Sequence, residues 1–137
     1  RSLAIRRGKA MTIRAIAYPQ PGGKRDKCPT LAFFEEQSDE HPDEFAELAA
    51  LLTRTACDGP LHNETKFKHL AGTDGLFEFK TRGGLRLFCF FDDGQLIICT
   101  HGTVKKRQKA DPAEIARAAR MKSEYEQAKR TGTLIEP

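Results

Sequence analysis

"LFEFKTRGGLRLFCFFDDGQLIICT", residues 76–100, decides the fold of this chain. It contains three runs rich in Phe, Leu and Ile, separated by a Gly-Gly pair and an Asp-Gly pair. Such pairs are typical of tight turns between paired strands, so the stretch predicts a three-stranded antiparallel meander. The predicted strands are Leu76–Arg82, Leu85–Asp92 and Gln95–Thr103. The middle strand is apolar on both faces except at Arg86, which indicates that both faces of the sheet are covered.

The flanking segments predict one more strand and three helices. Apolar and polar residues alternate over Thr12–Tyr18, which favours a strand. A short helix opening at Pro29 and a longer one over Pro42–Ala56, with an apolar stripe and an acidic first turn, form a helical hairpin. A last helix is expected after Asp111, its N-cap, with Glu114 completing a capping box. The predicted fold is α+β: strand, helical hairpin, antiparallel meander and C-terminal helix.

Length and composition favour one globular domain. The chain has 137 residues, of which 39% are hydrophobic and 31% charged, a size and balance that suit a single core. We expect residues 11–137 to form this domain and interpret residues 1–10 as an upstream extension or a remnant of cloning. No apolar run approaches the roughly 20 residues of a membrane helix, and no signal peptide is recognisable. A cytoplasmic location without a membrane partner is therefore expected.

The cysteines predict neither a metal site nor a disulfide framework. All four, at positions 28, 57, 89 and 99, are far apart, and none forms a CxxC pair or a Cys/His pair at zinc spacing. No metal and no cofactor are expected from this pattern.

Charge is distributed unevenly along the chain. The net charge is +4, with eight Lys or Arg against one acid in residues 1–28, and seven acids without Lys or Arg between Glu35 and Glu47. This polarity predicts one face for a polyanion and an acidic region kept away from it.

The meander is expected to gather cations at one rim. Arg82 and Arg86 flank the Gly-Gly turn, and antiparallel pairing brings the segment from His101 to Arg107 beside them. A dense cation cluster is typical of an anion site, and the phosphodiester backbone is the natural anion. Simpler interpretations stay open: Arg86 paired with Glu78 across the sheet, His101 as an ordinary strand-end histidine, and the lysines as solvated charges.

The segment Lys66–Ala118 resembles the phage-derived HigB-like branch of the RelE/ParE toxin superfamily. The shared features are "LFEF", an Arg that opens the next strand, a Phe-rich strand with an Asp-Gly turn, "HG", and "KK-x-Q-K" followed by Pro and Glu-Ile. The resemblance implies a small RelE-like domain that is the toxin of a type II toxin–antitoxin system. Such a toxin is a metal-independent endoribonuclease that cleaves mRNA on the ribosome and inhibits translation. Its partners would be a cognate antitoxin of the helix-turn-helix type, mRNA and the ribosome.

The chemistry that the resemblance implies is attack of a 2′-OH on the adjacent phosphate, giving a 2′,3′-cyclic phosphate. It needs a base, cations and an acid. Arg82, Arg86 and Lys106 would stabilise the phosphate, Lys66 or Lys68 would be the base with a lowered pKa, and His101 would be acid or base. The predicted catalytic residues are Arg86, His101, Lys106 and Lys68. The predicted RNA-binding residues are Lys66, Arg82, Lys105, Arg107 and Lys109. Tyr125 is interpreted as a core residue.

Three other functions are compatible with the same sequence. A ParE-like toxin would inhibit DNA gyrase and cleave nothing, although such chains usually lack this basic set. A non-catalytic nucleic-acid-binding relative would hold phosphates with a steep salt dependence. An inactive relative would retain only the ability to bind an antitoxin.

Overall fold

The computed structural model of the chain describes residues 11–105 and 108–134. The predicted α+β fold class is confirmed, with five strands and three α-helices in this part of the chain. Their bounds are β1 Thr12–Ala15, α1 Pro29–Glu40, α2 Pro42–Asp58, β2 Phe67–His69, β3 Leu76–Lys80, β4 Leu85–Asp92, β5 Leu96–Val104 and α3 Pro112–Thr131. This arrangement is consistent with the small RelE-like domain that the resemblance implies. Residues 1–10, interpreted above as an extension, lie outside the described residues.

The strands form one sheet in the order β1-β5-β4-β3-β2. The meander β3-β4-β5 is antiparallel, as predicted. β1 pairs in parallel with β5, where Thr12 lies opposite Leu96. β2 is an addition to the prediction: it pairs antiparallel with β3, and Phe67 lies opposite Phe79. The segment before β3, expected to be a plain connection, therefore contains the edge strand of the sheet.

Each face of the sheet has its own apolar core. On one face, α1 and α2 bury residues such as Phe33 and Leu48 against Phe79 and Leu87. On the other face, Ala118 and Tyr125 of α3 pack against the sheet and form a second cluster. Its other members are Leu70, Leu76, Phe88, Phe90 and Ile98. β4 lies between the two, and its first six residues are buried. The prediction that this strand is covered on both sides is confirmed.

The helical hairpin differs in detail from its predicted form. α1 is longer than expected. The predicted stripe of α2 was Phe45, Leu48, Ala49, Leu52 and Ala56, whereas the helix buries Leu48, Leu51 and Thr55. Phe45, at the start of that stripe, is half-buried and packs edge-on against Phe34 of α1, with ring centroids 5.5 Å apart. Part of the apolar stripe of α2 therefore packs on the sheet and part packs on α1, because both neighbours have apolar side chains that α2 shields from water.

The start of α3 is partly as predicted. Asp111 is the N-cap, and its carboxylate accepts a hydrogen bond from the backbone nitrogen of Ala113 at 2.9 Å. Glu114, predicted to complete a capping box, instead places its carboxylate near His101. Tyr125 is a core residue, as predicted, and its hydroxyl donates to Asp92 at 2.6 Å. Among the described residues, no helix combines the length and apolar character needed to cross a membrane.

Candidate nucleic-acid interface

A group of cations lies on the same face of the sheet as Leu76, the face on which α3 packs, beyond the apolar cluster at the other end of β3. Residues opposite each other on neighbouring strands share a face, and Lys68 lies opposite Glu78 while Lys80 lies opposite Arg86. Two further lysines join them through the backbone. The Lys80 nitrogen donates to the carbonyl of Lys66 at 2.8 Å, and the Lys105 nitrogen donates to the carbonyl of Gly84. We call this group the basic face; its members are Lys66, Lys68, Lys80, Arg86 and Lys105.

Arg86 lies at the bottom of the basic face in a buried ion pair. Its Nη1 is 2.6 Å from both carboxylate oxygens of Glu78, and only 4% and 2% of the two side chains are exposed. Its Nη2 donates to the backbone carbonyl of Gln108 at 2.5 Å. The interpretation in which Arg86 pairs with Glu78 across the sheet is confirmed. Arg86 also ties the segment that follows β5 to the sheet.

Lys80 is the residue of this face that sequence reasoning missed. It is half-buried at the end of β3. Burial lowers the pKa of its amine below the ordinary value, and the charges of Lys68, Arg86 and Lys105 lower it further, against an opposing pull from Glu78. The alternation in "FEFK" is the signal that could have found it, because Glu78 and Lys80 are two residues apart and so share a face.

Arg82 lies on a turn that acidic residues hold in place. One carboxylate oxygen of Glu44, at the start of α2, accepts from the Thr81 hydroxyl at 2.7 Å and from the Gly83 nitrogen at 2.8 Å. Glu47 accepts from the backbone nitrogen of Arg82 at 2.9 Å. The predicted separation of acids from the basic rim is therefore wrong here. The physical reason is that the N–H groups of the turn need acceptors, and α2 supplies them. The Arg82 side chain is exposed.

His101 lies in β5 beside an irregularity of the sheet. The register shifts between Leu87 and Cys89, so the His101 ring lies against Phe88, with centroids 5.0 Å apart. Only 1% of the residue is exposed. Burial lowers the pKa of His101 from 6.5 to about 4, with further contributions from Arg117 and Arg120 of α3. The cations that act on this imidazole belong to α3 and not to the basic face.

The predicted site residues therefore divide into several groups. The structure brings Lys66, Lys68, Arg86 and Lys105 together. The meander geometry predicts this for Arg86 and Lys105, whereas the position of Lys66 and Lys68 follows from β2, which was not predicted. His101 faces α3, and Lys109 is exposed in the segment before it. Two predicted residues, Lys106 and Arg107, lie outside the described residues.

The chain has a recognisable family. No curated protein matches it significantly. A family model described as "Phage derived protein Gp49-like (DUF891)" matches residues 32–123, about two thirds of the chain. The match includes most of α1, all of α2, the meander and more than half of α3. It therefore includes every element that builds the basic face. The chain belongs to the Gp49-like family, a family of RelE/HigB-type toxins.

Proposed function

We propose that this protein is the toxin of a type II toxin–antitoxin pair and acts as a metal-independent endoribonuclease. In this proposal it cleaves mRNA on the ribosome in the cytoplasm and so inhibits translation, as a HigB-like member of its family. The observation that carries the proposal is the gathering of Lys68, Lys80 and Lys105 around the buried Arg86, because phosphodiester cleavage needs a base, an acid and cations close together. Burial and the neighbouring cations also lower the pKa of Lys80, which favours its amine as the base.

The reaction needs no group from outside the chain. The Lys80 amine takes the proton of the 2′-OH, and the 2′-oxygen attacks the adjacent phosphorus. The bond between phosphorus and the 5′-oxygen breaks, leaving a 2′,3′-cyclic phosphate. The ammonium of Lys68 or Lys105 gives a proton to the leaving 5′-oxygen, and the other stabilises the charge on the phosphorane. Sequence reasoning assigned the base to Lys66 or Lys68; the lowered pKa favours Lys80.

Arg86 has a positioning role in this proposal. Its guanidinium is bound to Glu78 and to the carbonyl of Gln108, so it orients the basic face from below, and its charge helps to lower the pKa of Lys80. His101 is left out of the proposed catalytic set. With a pKa near 4, the His101 ring is neutral at pH 7, so it lacks the second proton that a general acid donates and is a weak base. Its catalytic role, like that of Lys106, stays a prediction.

Membership of a toxin family also implies an antitoxin as partner. We propose a small helix-turn-helix protein for this partner. Lys66, Arg82, Lys105, Arg107 and Lys109 are the residues proposed to contact RNA.

The test compares Lys80→Met with Lys24→Met, a change of the same kind at an exposed loop lysine. Each chain is expressed in bacteria to follow growth arrest, and is then incubated with translating ribosomes. The expected result is cleaved mRNA with 2′,3′-cyclic phosphate and 5′-hydroxyl ends for the parent chain and Lys24→Met, and a loss of about 100-fold or more for Lys80→Met. Intact mRNA together with inhibited DNA gyrase would contradict the proposal and support a ParE-like activity.

A further inference from the structure

The outer edge of β1 is open in the part of the chain that the structure describes. β1 is the first strand of the sheet and pairs only with β5. The backbone nitrogens of Thr12 and Ile16 donate to carbonyls of β5 and of the residue before it. Successive N–H groups of a strand point in opposite directions, so those of Ile13, Ala15 and Ala17 point away from β5. Their carbonyls share that direction, and none of these groups has a backbone partner among the described residues.

Little in the described chain protects this edge. α2 closes only its start, where the Met11 nitrogen donates to the carbonyl of Ala56 at 2.9 Å. Natural proteins commonly protect an open edge with lysine, proline or a bulge. Between residues 12 and 17 there is no proline, and Arg14 is the single charged residue. The edge is therefore suited to pair with a further strand.

An apolar groove runs beside β1 on each face of the sheet. The groove on the side of α1 and α2 has a volume of about 560 Å³, and the groove on the side of α3 has a volume of about 570 Å³. We call them the hairpin groove and the α3 groove. Leu31, which is 48% exposed, lies in the hairpin groove with Phe34 and Leu52. The α3 groove is lined by Ile16, Ile98, Ala128 and Leu134. Side chains of an added strand would point alternately to the two faces, and so into the two grooves.

Two of the charged groups in the grooves have partners within the chain. Arg25, which lines the hairpin groove, is 3.1 Å from Glu35 of α1. Glu124, which lines the α3 groove, accepts a hydrogen bond from the Tyr18 hydroxyl at 2.8 Å. These two charges are therefore balanced within the chain and do not select a ligand.

The remaining charges favour an acidic partner. Arg14 and Asp26 line both grooves. Lys27 is exposed beside Tyr18, with which it exchanges two backbone hydrogen bonds. The edge thus has two cations against one acid, which a segment carrying carboxylates complements. A second copy of the chain would add another Arg14 and a net charge of +4, so it is disfavoured.

We propose that the edge of β1 accepts an extended segment of a partner protein as an additional strand. The backbone of that segment pairs with Ile13, Ala15 and Ala17, and its successive apolar side chains enter the hairpin groove and the α3 groove in turn. A carboxylate of the segment lies beside Arg14. Backbone pairing supplies affinity in this mode of recognition, and the grooves supply specificity. The identity of the partner rests on the function proposed above, in which it is the antitoxin.

The first test measures amide hydrogen exchange in the full chain, alone and with an excess of a capped peptide that has valines between two glutamates. Alone, the amides of Ile13, Ala15 and Ala17 should exchange at least about tenfold faster than that of Ile16, which donates to β5. The peptide should slow those three amides by at least about tenfold. Protection in the chain alone would overturn the proposal, because a second copy or another part of the chain would then cover the edge. Exchange that the peptide leaves unchanged would overturn it as well.

The second test measures binding of the same peptide, carrying a fluorescent label, to variants of the chain. Leu31→Glu places a carboxylate in the hairpin groove and should weaken binding by at least about tenfold. Val104→Glu is the matched control: Val104 is 40% exposed and lines neither groove, so binding should be unchanged. Ala15→Pro removes an N–H that faces the edge and spares the bonds to β5, so it should weaken binding to a similar extent. Leu31→Glu decides the test if Ala15→Pro does not fold, and equal binding by Leu31→Glu and the parent would overturn the proposal.

The third test separates this proposal from the ribonuclease. The small protein encoded beside this gene, the expected antitoxin, is bound to the full chain, and hydrogen exchange is measured again. A complex that protects Ile13, Ala15 and Ala17 supports the proposal, and a complex that leaves them in fast exchange overturns it. RNA cleavage by the chain together with unprotected edge amides would overturn the edge site alone. Protected edge amides without RNA cleavage would overturn the ribonuclease alone.

Discussion

One guanidinium nitrogen of Arg86 donates to both carboxylate oxygens of Glu78 at 2.6 Å, and both side chains are almost completely shielded from water. A pair of this kind neutralises the charge of Arg86 inside the sheet, while the lysines around it are half-buried or exposed. The positive charge that a substrate meets therefore comes from Lys68, Lys80 and Lys105. Arg86 controls the environment of those lysines from beneath.

Removing one member of this pair should destabilise the fold. Arg86→Met leaves the Glu78 carboxylate buried without its partner, and we expect the free energy of unfolding to fall by about 3–5 kcal/mol in urea titrations. Arg82→Met, at an exposed position on the neighbouring turn, should change it by less than about 0.5 kcal/mol. The double variant Arg86→Met/Glu78→Gln should recover part of the loss. Equal stability of Arg86→Met and the parent would contradict this account.

The pH dependence of RNA cleavage should report Lys80. A base is active when unprotonated, so kcat/KM should rise with pH and level off below the ordinary lysine value of 10.5. Lys68→Met removes one of the cations that lower the pKa of Lys80, so its rising limb should move to higher pH. Lys24→Met is the control and should leave the limb in place. A limb that moves to lower pH in Lys68→Met would show that another group titrates.

Acid should destabilise the chain through His101. Its pKa is about 4 when folded and 6.5 ordinarily, so the unfolded chain binds the extra proton between these values. Stability is therefore fully present above pH 6.5 and is lost as the pH falls towards 4, by as much as about 3 kcal/mol. In His101→Gln, the free energy of unfolding should not show this decrease between pH 7 and pH 4. His62→Gln, at an exposed site, should keep it.

A methyl group at Gly102 should disturb the packing of α1 on the sheet. A Cβ added there would lie 2.2 Å from Cδ2 of Phe33, an overlap that forces the ring or the helix to move. We expect Gly102→Ala to lower the free energy of unfolding by about 1–3 kcal/mol. Gly102→Ala/Phe33→Leu should be less destabilised than the sum of its single changes, because the smaller side chain makes room. Additive losses would contradict the proposed contact.

Much of the meander could be predicted because its local signals agree. β4 has the predicted bounds Leu85–Asp92, and the Asp111 cap of α3 was recognised from its side chain and position. Both predictions depend on residues close together in sequence. The same signals placed Arg86 beside the last residues of β5, which the register confirms at Thr103.

What the sequence could not predict depends on partners that are distant in the chain. β2 has only three residues, and Lys68 and His69 are exposed, so it lacks the apolar alternation of a half-buried strand. The pattern of β1 does not reveal that its partner is the parallel β5. Lys80 was missed because its lowered pKa arises from burial and from charges on three other segments. The approach of Glu114 to His101 has the same cause, since the two residues meet only after α3 packs on the sheet.

The parallel pairing of Thr12 with Leu96 has a consequence for how the chain reaches its final form. The antiparallel hairpins join neighbours in sequence and can close early, whereas β1 must wait until β5 has emerged from the ribosome during synthesis. Closing so long a loop carries a larger entropic cost and slows the step that depends on it. We therefore expect the first strand to be the last to join the sheet, with the edge of β5 accessible in the nascent chain until it does.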